Sequence, residues 1–250
     1  MKHPRARFIV VYGRKPVLEA LETPGLDVHR LRIAASARGH TVDAIVEAAR
    51  ARGVTVERVP AAEVSKISRR PHQDQGVVLD VEAPHMDDLG AALAAGLDED
   101  LFVLPDGVTT PANLGMLLRT CVAVGAALVL PGRGVADLGP RVIKASAGTA
   151  FRARILRDRD APSAASRLAA HGIALVGLDA AADVSLFEAP PPRPAALVVG
   201  GETHGITPAV RRLLDARRKI PLAPGAESLN AAVAGAVAMF EARRAWGAFG

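Results

Sequence analysis

Three short runs hold the side chains best suited to chemistry. In "DGVTTPANLGMLLRT" (106–120), Asn113 stands where a strand-like stretch gives way to a helix-like one, and Arg119 interrupts an apolar helical pattern. Capping is the ordinary task of such an asparagine, because the first N–H groups of a helix lack intrahelical acceptors. An arginine in such a place either lays its stem on the core with its head in water, or sits in a partly dry site to bind phosphate or stabilise a developing oxyanion. In "VVGGETHGIT" (198–207), three glycines surround Glu202. Glycine lets a ligand lie close against the main chain. In "PGAESLN" (224–230), Ser228 and Asn230 precede ten residues, Ala231 to Phe240, that carry no strong hydrogen-bonding side chain. The pair reads either as a helix cap or as a site at the N-terminus of a buried helix.

The glycine run is neither a G-x-G-x-x-G fingerprint nor a Walker loop, since no Gly-Lys-Ser/Thr follows it. Glu202 and His204 offer two metal ligands without a third, so no metal is expected. Cys121 stands in an apolar helical stretch and reads as core rather than nucleophile.

The elements that must position these groups alternate. In the first part, "FIVVYG", "VHRLRIA", "VTVERV" and "QGVVLDVE" read as strands. "KPVLEALE", "TVDAIVEAARARG" and "AAEVSKIS" read as helices, with Thr41 as a cap and Gly53 as a stop. "APHMDD" (83–88) reads as a linker, because proline and charge interrupt the apolar periodicity. In the second part strands "DLFVLPD", "AALVLP", "FRARIL", "IALVGLD", "ALVVGGE" and "RKIPLA" interleave with helices, among them "PANLGMLLRTCVAVG", "PRVIKASAG", "TPAVRRLLD" and the closing segment. This predicts an α/β fold with a mostly parallel sheet covered on both faces. Ligands in such sheets gather beyond the carboxyl ends of the strands, which is where all three polar runs fall.

The chain has 250 residues, half of them hydrophobic but only 3% aromatic, so an aliphatic core is expected. One cysteine excludes an internal disulfide and a Cys-based zinc site. No apolar run approaches the roughly 20 residues of a membrane span, and the opening "MKHPRARFIVVYGRK" lacks the long apolar region of a signal peptide. A soluble, cytoplasmic protein is expected. The net charge is +5 and the pI about 10.0, which favours polyanionic partners. Residues 1–85 hold 14 Lys/Arg against 10 Asp/Glu, and residues 86–250 hold 17 against 16. The positive excess therefore sits in the N-terminal part, which suits nucleic acid or a solvated basic surface. Arg14-Lys15 and Arg69-Arg70 are the basic pairs there, and Arg217-Arg218-Lys219 is a further cluster.

Taken in order, the three runs resemble the three motifs of the SpoU/TrmH family of RNA ribose 2′-O-methyltransferases. Asn113, Gly115 and Arg119 fall in the first, Glu202 in the second, and Ser228, Leu229 and Asn230 in the third; "RVIKASAGTAF" resembles a stretch usual between the first two. The similarity covers about residues 100–245. "VYGRKPVLEAL" and "HQDQGVVLDVE" resemble the ribosomal-protein-like RNA-binding extension of members acting on large-subunit ribosomal RNA. The sequence departs from the family at Thr110, at Thr203-His204 and at Ala231-Ala232, none of which carries assigned chemistry.

The resemblance implies a small α/β RNA-binding domain at 1–85 and a trefoil-knotted methyltransferase domain at 86–250. It implies S-adenosylmethionine as cofactor, held by Gly200, Ile220 and Leu229 with Gly201 and Leu222 nearby, and a homodimer with RNA, rather than DNA or a membrane, as partner. The catalytic set would be Arg119, Asn113, Glu202, Ser228 and Asn230, with Arg14, Lys15, Arg69 and Arg70 on the RNA. The family assigns hydroxyl activation to the motif-one arginine. A guanidinium has a pKa of about 12.5–13.8, so making one neutral at pH 7 costs roughly 7–9 kcal/mol. A positioning and alkoxide-stabilising role is therefore expected, with the proton leaving through phosphate or water. Transfer RNA is the rival substrate, and a non-catalytic RNA-binding protein on the same fold is the rival class.

Overall fold

The computed structural model describes residues 8–83 and 85–248. The opening basic segment 1–7, Pro84 of the expected linker, and residues 249–250 lie outside the described residues. Two compact units divide the chain after Pro84, and the short stretch Leu138–Ile143 groups with the first.

The first unit follows the expected alternation: β1 (Phe8–Tyr12), α1 (Arg14–Glu22), β2 (Val28–Ala34), α2 (His40–Ala51), β3 (Thr55–Val59), α3 (Ala61–Ser68) and β4 (Val77–Glu82). The sheet order is β1-β4-β2-β3, with β4 antiparallel to both neighbours and β2 parallel to β3. Gly53 ends α2 with φ +68°. Thr41, expected as its cap, lies inside the helix; Gly39 is the N-cap and supplies no side chain.

The second unit is built on a parallel sheet of seven strands in the order β11-β9-β10-β6-β7-β8-β5. From residue 86 the chain order is β5 (Met86–Asp88), α4 (Leu89–Ala95), β6 (Leu101–Asp106), α5 (Pro111–Val124), β7 (Ala127–Pro131), α6 (Pro140–Ala145, whose first four residues group with the first unit), β8 (Ile155–Asp158), α7 (Ala161–Ala170), β9 (Ala174–Leu178), β10 (Ala195–Gly200), α8 (Pro208–Arg211), β11 (Ala216–Arg218) and α9 (Ala231–Ala245). Every residue of β6 and β7 is buried, as strands covered on both faces require. Phe102, Leu104, Val129, Leu156 and Val198 pack with α4 and α7 into one apolar core in which Phe102 is the aromatic member. On α5, Leu114, Leu117 and Leu118 are fully buried, and α9 packs on α5 and β10. Gly235 permits that approach, because a Cβ there would lie 2.5 Å from Leu117 Cδ2.

Four local expectations are corrected. The linker at 83–88 is partly strand β5: Met86 is buried, Asp87 meets Arg154 at 2.6 Å, and the Asp88 carboxylate accepts from the Ala91 amide to start α4, a helix the sequence reading missed. The charges that suggested a linker are thus consumed by an ion pair and a cap. The strand read at "FRARIL" begins only at Ile155, after a 3-10 turn at Thr149–Phe151. Helix α8 ends four residues before Asp215, whose carboxylate and N–H instead bond the main chain of Leu175 at the edge of β9. Finally, β11 pairs with β9 only at Ala216–Arg218, so Ile220 and Leu222 leave the sheet. Among the described residues no helix is long and apolar enough to cross a membrane.

Candidate functional site

Strands β6 and β10 are neighbours with Gly200 opposite Asp106, so the loops after them meet. Buried Asp106 ties them together. Its carbonyl accepts from Gly201 N–H at 2.8 Å and its carboxylate from Thr207 N–H at 2.7 Å. Gly201 and Gly205 exchange backbone bonds that close the turn carrying Glu202, Thr203 and His204. Both leading glycines are required for contact reasons: a Cβ on Gly200 would lie 2.4 Å from the Gly205 carbonyl carbon, and one on Gly201 would lie 2.2 Å from the Gly107 carbonyl oxygen. Gly201→Ala is therefore expected to push the two loops apart at a cost of about 1–3 kcal/mol, seen as a lower melting temperature.

The turn delivers Glu202 to two asparagines. Its Oε1 accepts from Asn113 Nδ2 at 2.7 Å and from Asn230 Nδ2 at 2.8 Å. Asn230 Nδ2 also donates to Asn113 Oδ1 at 3.0 Å. One residue from each of the three runs thus joins a single network. Asn113 is buried inside α5 and is not a cap; Thr110 holds that position, followed by Pro111. Asn230 is a cap as well as a network member, because its Oδ1 accepts from the amides of Ala232 and Val233 at the start of α9. Ser228 caps nothing and is exposed.

A cavity of about 420 Å³ opens beside this network, at the carboxyl ends of β9 and β10. Gly200, Gly201, Ile220, Leu222 and Leu229 line it, together with Glu202, Ser228 and Asn230. Sequence reasoning missed Leu178, Asp179, Arg211 and Arg218, which also line it. An acid closing the strand-like "IALVGLD" was the available signal. Burial opposes ionisation of Asp179, but the Ala181 amide and the guanidinium groups of Arg217 and Arg211 outweigh it and hold the carboxyl below its ordinary value.

Arg119 is not brought to this cavity. It is exposed on α5, away from the buried stripe of Leu114, Leu117, Leu118 and Cys121, and has no side-chain partner among the described residues. The exposed head fits the reading with the guanidinium in water, and the partly dry setting does not apply within one chain. Cys121 is buried beside Met239, and burial pushes its thiol up to about 12, which keeps it unreactive. Among the described residues no three of His, Cys, Asp or Glu cluster as a metal site. In the first unit the Arg14 N–H and Nε both bond Gln75, which sets the start of α1 against the loop after α3. Arg69 ends α3 in a left-handed conformation, and Lys15, Arg69 and Arg70 are exposed.

Residues 100–240 match the SpoU rRNA methylase family, and residues 10–86 match the RNA 2′-O ribose methyltransferase substrate binding family. A Mycolicibacterium smegmatis protein bearing the name tRNA/rRNA methyltransferase is 34% identical over 239 residues, covering 94% of this chain and 76% of its own length. Among solved structures, the SpoU methyltransferase AviRb from Streptomyces viridochromogenes, in complex with AdoMet, superposes with a TM-score of 0.65 at 29% identity, over 97% of this chain and 91% of AviRb. An AdoMet-bound rRNA methyltransferase from Sinorhizobium meliloti superposes with a TM-score of 0.63 at 28% identity, over 96% of this chain and 88% of its own. With a family match over more than half its length and a relative aligned along nearly all of it, the chain belongs to the SpoU rRNA methylase family.

Proposed function

We propose that the protein transfers the methyl group of S-adenosylmethionine to a ribose 2′-hydroxyl of RNA, and specifically of large-subunit ribosomal RNA. The observation that carries this reading is the Asn113–Glu202–Asn230 network standing on a cavity lined by Gly200, Gly201, Ile220, Leu222 and Leu229. The cavity suits the cofactor. Its volume lies within the roughly 300–1,000 Å³ of small-molecule pockets. The glycine backbone lets a ligand lie against it, and aliphatic side chains offer faces for a flat heterocycle. When bound, S-adenosylmethionine supplies an electrophilic methyl group on a sulfonium.

The chain's own task is then alignment and activation of the hydroxyl. Gly200, Gly201, Ile220, Leu222 and Leu229 hold the cofactor. Asn113, Glu202, Ser228 and Asn230 fix the loops and the ribose. Arg119 binds the ribose or its phosphate and stabilises the incipient alkoxide, while the proton leaves through phosphate or water. Because Arg119 is exposed beside Met116 on α5, it must meet the reaction from outside its own chain's cavity. A homodimer is part of this reading: Met116 and Val122 of α5 and Val233 and Phe240 of α9 are exposed apolar groups that a second copy would cover. A trefoil-knotted path for the catalytic part, from 86 onward, belongs to the same reading.

The N-terminal part, through residue 85, would grip RNA through Arg14, Lys15, Arg69 and Arg70. Replacing all four by alanine is expected to weaken RNA binding about tenfold or more and to flatten its salt dependence, by about 0.7–0.9 in log–log slope for each phosphate left without its cation. Cofactor affinity should stay unchanged. The whole-chain match to an rRNA methyltransferase, N-terminal part included, supports a ribosomal substrate over transfer RNA, and a cytoplasmic location belongs to the same reading. Recognition would target single-stranded or loop RNA, where base edges are accessible.

Isothermal titration with S-adenosylmethionine separates this reading from a non-catalytic RNA-binding scaffold. Saturable one-site binding is expected, and absence of binding would refute the enzyme. Mapping 2′-O-methyl sites in ribosomal and transfer RNA of a deletion strain then decides the substrate: a site missing from large-subunit RNA is expected, and one missing only from transfer RNA would contradict it.

A further inference from the structure

Asp179 directly follows the last residue of β9, the hydrogen-bonded neighbour of β10, and lines the cavity beside Gly200. Its side chain is 12% exposed. Oδ2 is engaged by Arg211 at 2.8 Å and Arg217 at 3.1 Å. Oδ1 accepts from the Ala181 amide at 3.0 Å. A carboxylate oxygen has two acceptor sites, so Oδ1 retains capacity for a donor from a ligand.

The surroundings bear on which polar group of the cofactor can meet Asp179. A primary ammonium would be a third cation at a carboxylate already served by two guanidinium groups. An anionic carboxylate would meet Asp179 itself. The neutral donors that remain are the adenine amino group and the ribose diol. The diol presents two adjacent O–H groups, either of which can serve the site left on Oδ1, and the two arginines hold Asp179 in place so that little reorganisation is needed. Charged acceptors at the carboxyl ends of parallel strands are used in this way for ribose in other α/β sheets.

We infer that Asp179 accepts a hydrogen bond from the ribose diol of the cofactor, an assignment that rests on the cavity's being the S-adenosylmethionine site. Asp179 would then be a specificity determinant as well as a tie between α8, β11 and β9.

The test titrates S-adenosylhomocysteine and its 2′-deoxy and 3′-deoxy analogues into the full-length wild type and into Asp179→Ala. The wild type is expected to bind at least one deoxy analogue about 10–100-fold more weakly than the parent, the range for removal of a hydrogen bond to a charged group. Asp179→Ala should bind the parent with a comparable loss and show no further loss on that analogue. A variant that binds all ligands weakly yet keeps the wild-type deoxy penalty would overturn the inference, since Asp179 would then be only structural. Equal wild-type affinity for the parent and both analogues would overturn it whether or not the variant folds. Failure of the wild type to bind any of the three would overturn the cofactor reading and this inference together, which separates the two failures.

Discussion

Arg119→Ala is expected to lower the methyl-transfer rate by about 10²–10³-fold, the usual loss when one preorganised donor to developing negative charge is removed. The same change should leave the melting temperature and the S-adenosylmethionine affinity near their wild-type values. The structure separates these effects. Arg119 is exposed, so its removal opens no hole among Leu114, Leu117 and Leu118, and it is absent from the cavity lining. The loss should therefore fall on kcat and, through the lost ribose or phosphate contact, on the KM for RNA, and not on the cofactor. Arg119→Lys should be nearly as damaging, because a lysine is a point charge without the planar fork that grips phosphate and ribose oxygens together. Near wild-type turnover in the lysine variant would remove the need for that fork.

The largest stability effect is expected at Arg243. Its side chain is 10% exposed and runs from α9 to the end of α5. Nε donates to the Val124 carbonyl, Nη2 to the Gly125 carbonyl and Nη1 to Asp100 Oδ1, each at 2.7 Å. These bonds satisfy carbonyls that a helix end leaves open, and they put a cation at the negative end of α5. The guanidinium also stacks 5.6 Å from the Trp246 ring, and Arg193 lies on that ring too while pairing with Asp100. Arg243→Ala breaks the set from its centre, at a cost of about 3–5 kcal/mol for a buried ion pair deprived of one partner. That corresponds to a melting temperature lower by on the order of 10 °C for a chain of this size. Thermal unfolding of the two proteins measures it. A loss below about 1 kcal/mol would show that the bonds at α5 are replaceable by water.

Arg243 also marks what the sequence hides. In "FEARRAWG" it stands next to Arg244 with nothing local to distinguish them, yet Arg244 is 67% exposed at its side chain and only Arg243 is buried. The difference arises because packing brings Val124 and Gly125 to one side of α9. Most strands and helices of both units are legible because apolar periodicity records which face is covered; the short β5 and α4 are the exceptions. The residues of the site were legible as types at strand ends, but their partners were not. Asn113 reads as a cap until α9 delivers Asn230 to it, and Asn230 then proves to be both cap and network member. Asp179 looks like any acid closing a strand, because its arginines come from α8 and β11. The expected linker failed for a related reason: Asp87 and Asp88 look solvated until Arg154 and the start of α4 claim them. Ile220 and Leu222 read as part of a strand, whereas they leave the sheet and line the cavity.

Ribose methylation itself can be observed by incubating the protein with unmodified large-subunit ribosomal RNA and S-adenosylmethionine carrying an isotopically labelled methyl group, then digesting the RNA to nucleosides for mass spectrometry. Label is predicted in a single 2′-O-methylated nucleoside, and none in a DNA copy of the same sequence, which lacks the hydroxyl. Label on a base, or equal labelling of the DNA, would contradict the proposed reaction.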